Sequence, residues 1–549
     1  MLDNLVRSVS STDPNDIATA EQTRLPRVVY LLLSVLLAWR LWAFTISPRL
    51  HRDRLEYLPY WIPYLGHAVP FFRSSSALFA KAKKEFNHKL CALRIAGQDI
   101  VMVTTAAQIA AIDRDSQTFA FEPFVDLVYE EIATVSRETK PLLWRTPAEG
   151  YESLFPNAKQ MTAAHTGIHL LHKQLTQPDE MHRFMANSLA HVNNTLQWNS
   201  FYKTSVLAST PDVKVVSLEC MCRDVIIDAQ LTSFFGPRIL ELEPNIRSFL
   251  KAWDRISWQV TYKLPSFLAK HATQLRDHLI EVLVEYYAFP AEQRPGSVSF
   301  VNDVYNDYKQ AGIPDRDIAG IVFTILWGLN SNVNAISYWM IVHLMNNPTV
   351  VNEIREEIAP MMRNLDSAPA IDGTILANVT KDALLNSCPI FNSTFDETLR
   401  FTATGSSFRE TTRDTTLEGY CIPKGTKVII PQRTQMMHTP AFGPDPQRFD
   451  CYRFYQNKSL LRKVEFRGFG GGTTLCSGRI VGRHQVLAYL ALLLWRYDLE
   501  VIGPDQEVLG VRGKGFPRLD ETKPSLGPGK PMEGDDQILR LTRRKMQRI

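Results

Sequence analysis

The chain has 549 residues and, with 61 basic and 57 acidic side chains, a formal net charge of +4. Apolar residues make up 45% and charged residues 21%, an ordinary globular balance that excludes a disordered chain, a collagen and a strongly basic nucleic-acid binder. The seven cysteines are odd in number and scattered, which argues against a disulfide-built secreted protein and for a reducing compartment.

Residues 1–27 form a polar N-terminal segment. Residues 28–46 read VVYLLLSVLLAWRLWAFTI, with Ser34, Arg40 and Thr45 as the exceptions to an apolar run. A helix of that length spans about 28 Å, one hydrocarbon core. Arg40 can snorkel to the headgroups, and Trp39 and Trp42 suit the same interface. This predicts a single-pass membrane anchor. Residues 47–74 follow as a Pro-rich hinge; Pro59, Pro63 and Pro70 predict a stiff, extended connection rather than a regular helix.

Residues 75–549 contain no repeat and no low-complexity linker, so they read as one large domain despite a length prior of three or four. It is mainly α-helical with small β-sheets. Strands are expected in 90–105, and a hairpin in 416–430, where Gly419, Pro423 and Gly425 supply the turns. No Asp, Glu, Lys or Arg occurs between Asp317 and Glu353. Asp315 and Asp317 after Pro314 mark a helix start, and Asn347-Pro348 its end. A helix of about 30 residues, apolar on most faces, is either buried or membrane-spanning. Its middle, Gly328-Leu329-Asn330-Ser331-Asn332-Val333-Asn334, is too polar for lipid and predicts a buried helix beside an internal cavity.

Residues 466–482 read FRGFGGGTTLCSGRIVG. Three glycines permit close backbone approach, and Cys476 precedes a helix-like run. Helix N–H groups and the dipole stabilise a thiolate there, as an iron ligand requires. The segment resembles the heme-binding loop of cytochromes P450: Phe469, Gly472, Cys476 and Gly478 match Phe-x-x-Gly-x-x-x-Cys-x-Gly in register. Glu397-Thr-Leu-Arg400 resembles the family's Glu-x-x-Arg helix, and Arg453 the arginine that completes its structural triad. Residues 315–346 resemble the long helix over the heme, and Arg409 the arginine that pairs with a heme propionate. Glu-x-x-Arg spacing also occurs at Glu180–Arg183 and Glu410–Arg413, outside the family's context.

Four features depart from the pattern. Thr474 stands where a base is common, and Cys451 where Pro-x-Arg-Phe has proline. No Trp-x-x-x-Arg occurs around 150–175, where the basic side chains are Lys159, His165, His169, His172 and Lys173. Ser331 stands at the acid and Asn332 at the threonine of the long helix, and an Asn there resembles the branch that holds bile-acid sterol hydroxylases and prostacyclin synthase.

The resemblance implies a P450 fold, heme b (iron protoporphyrin IX) ligated by Cys476, and oxidation of a bulky apolar sterol, terpenoid or other secondary metabolite. Phe469, Gly472, Gly478 and Arg409 would hold the cofactor; Asn332 and Ser331 would serve catalysis. O₂ and NADPH-cytochrome P450 reductase are the implied partners, with the anchor in the endoplasmic reticulum membrane and the body cytosolic. The basic cluster Lys458, Arg462, Lys463 and Arg467 is the expected reductase face. Aromatics expected around the substrate are Phe119, Phe121, Phe124, Phe234, Phe235, Trp253 and Trp258, with residues 402–408 as a pocket strand. The alternatives are a P450-type isomerase or dehydratase and a non-catalytic, membrane-tethered heme or sterol binder.

Overall fold

The computed structural model describes residues 29–51, 53–155, 161–366 and 372–544; the N-terminal segment 1–27, Val28 and Lys159 lie outside them. Eight helices and the strands of two sheets position the site. In chain order the helices are α1 (Val29–Leu50), α2 (Ala163–Thr176), α3 (Pro178–Thr195), α4 (Leu218–Phe235), α5 (Ile246–Ile256), α6 (Asp315–Met345), α7 (Pro389–Thr402) and α8 (Arg479–Arg496). All seven cysteines are free.

Helix α1 has 22 residues with mean hydropathy 1.8 and none of its most apolar stretch buried, so it is a candidate membrane anchor. Arg40 does not stay free at its end. The guanidinium lies 4.1 Å from the Trp61 ring centroid and donates to the Tyr60 carbonyl. The hinge likewise folds back. Leu58 is fully buried, Tyr57 bridges to Ala92, and Ala68–Arg73 form a helix. Pro70 is tolerated because it is the third residue of that helix, where the backbone N–H has no intrahelical acceptor.

The larger sheet runs β1–β2–β9–β6–β3, from Cys91–Ile95, Gln98–Met102, Lys427–Pro431, Ser406–Thr411 and Phe119–Ala120, while β4 (Val206–Ser209) and β5 (Val213–Ser217) belong to a separate sheet. The expected hairpin in 416–430 is shorter than anticipated. Thr415–Leu417 (β7) pairs with Tyr420–Ile422 (β8) around Glu418 and Gly419, and β9 leaves to lie parallel to β2 and antiparallel to β6. The register Phe408↔Ile429 and Arg409↔Val428 fixes where β6 presents its side chains.

Helix α6 has 31 residues. Its N-terminal turn is tied down by Asp317, which accepts from Ser136 Oγ at 2.8 Å and from Ser136 N at 3.2 Å. It packs against α4, α7 and α8, and half of its most apolar stretch is buried. It is the buried helix anticipated from its polar middle. The main apolar core surrounds it, joining residues of α3, α4, α6 and α8. Burial of that helix thus puts residues 328–336 across from the loop that precedes α8.

Candidate functional site

The loop before α8 is built around a buried ion pair. Arg467 is only 2% exposed and binds Asp113 at 2.9 Å. It therefore does not belong to a surface basic cluster: a guanidinium threaded into the loop cannot face a partner. Gly472 (φ +60) lies against the same aspartate, and a Cβ there would come within 2.6 Å of Asp113 Oδ1. Glycine at 472 serves this close packing, and Gly472 does not border the cavity described next.

Cys476 N–H donates to Phe469 O at 2.9 Å, closing the loop. Burial pushes the Cys476 thiol above its ordinary pKa, opposed by the Gly478 N–H and the Arg479 charge. The sulfur faces a cavity of about 1420 Å³ of empty space, open solvent included. One wall is Phe469, Gly470, Gly478 and Val486 from the loop and α8; the facing wall is Gly328, Leu329, Asn332, Val333 and Ile336 of α6. Phe395 and Leu399 of α7 complete an apolar slot, in which Phe395 and Phe469 stack at 6.2 Å.

Arg409 gives the slot its charged end. It reaches the cavity from β6, donating to Thr474 Oγ1 and to Phe408 O, each at 2.7 Å. Burial pushes its pKa down from the usual value. Thr474, at a position where the family commonly has a base, aims Arg409. From α2, His172 Nδ1 lies 3.3 Å from Ser477 Oγ.

The Glu-x-x-Arg spacings separate by burial. Arg400 Nε and Nη2 each bind Glu397 at 2.7 Å, and Arg453 Nε lies 3.1 Å from the same carboxylate. Glu397 and Arg400 are both fully buried, so their pairing is an inside network. Arg183 is mostly exposed and 3.9 Å from Glu180, while Arg413 turns to Asp115 rather than Glu410. Cys451 is buried beside the triad, its carbonyl accepting from Ser393 Oγ at 2.5 Å.

On α6, Asn332 borders the Cys476 cavity, but Ser331 does not; it turns to a separate space behind the helix. Adjacent helix residues point about 100° apart, so only Asn332 reaches the Cys476 side, while both border the space behind the helix. Asn332 Nδ2 donates to Gly328 O at 3.2 Å. Phe121, Phe124, Ser406, Ser407 and Phe408 line the Cys476 cavity, and Trp258 the space behind α6. Phe119, Phe234, Phe235 and Trp253 are core residues instead. The segment 519–532 was not anticipated. Leu526, Gly527 and Pro528 enter the cavity, held by Thr404 Oγ1 to Gly527 O at 3.2 Å and Trp339 Nε1 to Gly529 O at 2.8 Å. Its Pro-Ser-Leu-Gly-Pro-Gly run is a turn signal, but nothing local indicates where the turn is inserted.

A cysteine loop under a long buried helix, with a mainly helical body, is the arrangement of a heme-thiolate oxidoreductase, and the chain belongs to the cytochrome P450 family, whose model matches residues 223–518. Enzymes of this family use heme iron, O₂ and a redox partner. The chain is 23% identical over 491 residues to cytochrome P450 monooxygenase nodJ of Hypoxylon pulicicidum, covering 86% of this chain and 88% of that one. It is 24% identical over 461 residues to monooxygenase poxD of Penicillium oxalicum, covering 82% and 88%. Cholesterol 7-alpha-monooxygenase of Cricetulus griseus is 23% identical over 493 residues, covering 85% and 89%.

Proposed function

We propose that the protein is a membrane-anchored P450 monooxygenase that oxidises a bulky, largely apolar substrate of the sterol or terpenoid kind. The observation that carries this reading is Cys476 facing an apolar slot beneath the polar middle of α6. The donor set suits heme b: a sulfur on one face, flat apolar walls, and a buried guanidinium at one rim to meet carboxylates. Gly328 adds room, since a Cβ there would meet nothing within 4 Å. Bound there, the cofactor supplies the oxidising chemistry.

The chain's own residues do the rest. Cys476 presents the sulfur, with the Gly478 N–H and Arg479 favouring its anionic form. Arg409, aimed by Thr474, holds the negative rim. Phe121, Phe124 and Leu526 exclude water from the space above, and Ser406 and Ser407 can hydrogen-bond an oxygenated ring. Asn332 holds a hydrogen-bonding amide where a proton must arrive. The sterol reading draws on the printed activity of the Cricetulus griseus relative. Helix α1 would hold the body on the cytosolic face of the endoplasmic reticulum, and residues 75–549 would form one heme domain.

The test is purified protein with NADPH, P450 reductase and O₂. A thiolate-type Soret band under carbon monoxide, and product whose formation needs all three, are expected. Product from an oxidised lipid without NADPH would replace the reading with an isomerase. A thiolate band with no product from any substrate would leave a binder.

A further inference from the structure

A second space lies behind α6. Its two lobes adjoin across Asp254, Arg255, Trp327, Ser331 and Lys530, and are taken together as one chamber. The larger lobe holds about 1190 Å³ of empty space, open solvent included. Gly328, Asn332, Leu526, Gly527 and Pro528 border both this lobe and the Cys476 cavity. The two spaces therefore adjoin across these residues, which a long ligand over Cys476 would pass to reach the chamber.

The chamber walls differ in kind from the slot. Five basic and three acidic side chains line them. Arg223 is matched by Asp224 at 2.6 Å, Lys523 by Asp520 at 3.5 Å, and Lys530 by Asp254. The other two cations share one carboxylate: Glu219 lies 3.1 Å from Lys251 Nζ and 2.6 Å from Arg255 Nη2. Burial alone would raise the Glu219 carboxyl, yet the two cations hold it below the usual range. Two positive charges against one negative leave one charge unmatched, at side chains less than a third exposed, where salt screens weakly. Of the two, Arg255 lines both lobes, and a guanidinium matches a carboxylate in shape and charge.

We propose that this chamber is an anion subsite, in which Arg255, with Lys251 beside it, receives a carboxylate borne by the substrate at the end remote from the carbon held over Cys476. The inference rests on reading the Cys476 cavity as the oxidation site, and it narrows the substrate to an amphipathic acid on a sterol, terpenoid or acyl skeleton.

The experiment uses the full-length holoenzyme and three matched probe pairs: cholanic acid, abietic acid and palmitic acid, each with its methyl ester. Dissociation constants come from heme difference spectra and, independently, from equilibrium dialysis of radiolabelled probes. At least one acid should bind about ten- to hundred-fold more tightly than its ester, the range of one charge-assisted hydrogen bond. Arg255→Gln should erase that preference. Glu219→Gln, which leaves both cations unmatched, should tighten the acid several-fold. Equal binding of acid and ester in all three pairs overturns the proposal. So does a preference that survives Arg255→Gln, or, should that variant not fold, an acid affinity unchanged in Glu219→Gln. Dialysis separates the two readings: if no thiolate band forms, the oxidation-site reading fails, while acid preference is still measured.

Discussion

Asn332 commits one amide hydrogen to Gly328 O within its own helix and keeps Oδ1 beside Gly527, where an added Cβ would come within 2.3 Å. Back-bonding of this kind recurs along α6, at Asn330 to Leu326 O and Asn334 to Asn330 O, and by itself serves only the helix. Asn332 differs from its neighbours in bordering the Cys476 cavity, so its remaining hydrogen-bonding capacity faces the reaction space. Asn332→Ala should retain heme and substrate but divert electrons to peroxide, lowering product per NADPH about ten- to hundred-fold, the worth of one hydrogen bond in a transition state. Unchanged coupling between NADPH and product would assign Asn332 to the helix alone. Cys476→Ala should lose the thiolate-type band and most bound heme, measured on the reduced, carbon-monoxide-treated protein. Thiolate absorption retained in that variant would remove Cys476 from the iron.

Helix α7 is tied to its surroundings by one buried charge network. Arg400 also donates to Met436 O at 2.9 Å and to Pro446 O at 2.8 Å, and Arg453 to Arg448 O at 2.9 Å. Glu397→Gln leaves two guanidiniums without their carboxylate, and breaking a buried ion pair costs about 3–5 kcal/mol. Arg183→Gln removes a similar-looking pair from the surface and should cost no more than about 0.5 kcal/mol. Denaturant titration of the two variants side by side checks the contrast. Equal losses would mean that the inside network contributes no more than the exposed pair. Since α7 supplies Phe395 and Leu399 to the slot, Glu397→Gln should also lower heme retention.

Across the whole molecule, buried histidines set an acid limit. His484 is fixed on α8 by Thr380 Oγ1 at 2.7 Å, and burial pushes its pKa from 6.5 down to about 4. Above about pH 6.5 both folded and unfolded chains hold it neutral. Between about 6.5 and 4 the unfolded chain takes the proton first, so stability falls as pH falls, by on the order of 3 kcal/mol for this residue. His484→Gln should flatten that part of a stability-versus-pH curve; an unaltered slope would exclude His484 as its source. Topology can be read from Asn378 and Asn457, which lie exposed in Asn-x-Ser/Thr sequons, whereas Asn193 is buried. Both exposed sites should stay unmodified in cells if the body is cytosolic, and glycosylation of either would invert the assignment. With Arg467 buried, the basic face reduces to Lys458, Arg462 and Lys463. Reversing these three charges should slow reduction by P450 reductase and weaken its salt dependence in stopped-flow traces.

The cysteine loop and α6 were legible because their signals are local. A glycine run before a cysteine, and 35 uncharged residues between Asp317 and Glu353, constrain backbone and burial within a few turns of chain. The position of Asn332 comes from the helix's resemblance to the family's long helix, and in the fold it borders the Cys476 cavity. Pairing and burial across long separations were not legible. Glu397–Arg400 and Glu180–Arg183 have the same spacing, and only packing puts one inside and leaves the other largely in water. Arg467 looks like its basic neighbours until Asp113, 354 residues away, meets it. Ser331 and Asn332 differ by one helical step, and of the two only Asn332 reaches the Cys476 cavity. The chamber behind α6 draws on residues from 128 to 531, and its unmatched charge exists because Lys251 and Arg255, one turn apart on α5, meet a single glutamate on α4. Such a balance depends on distance and screening in the folded chain, quantities that a linear order of residues does not contain.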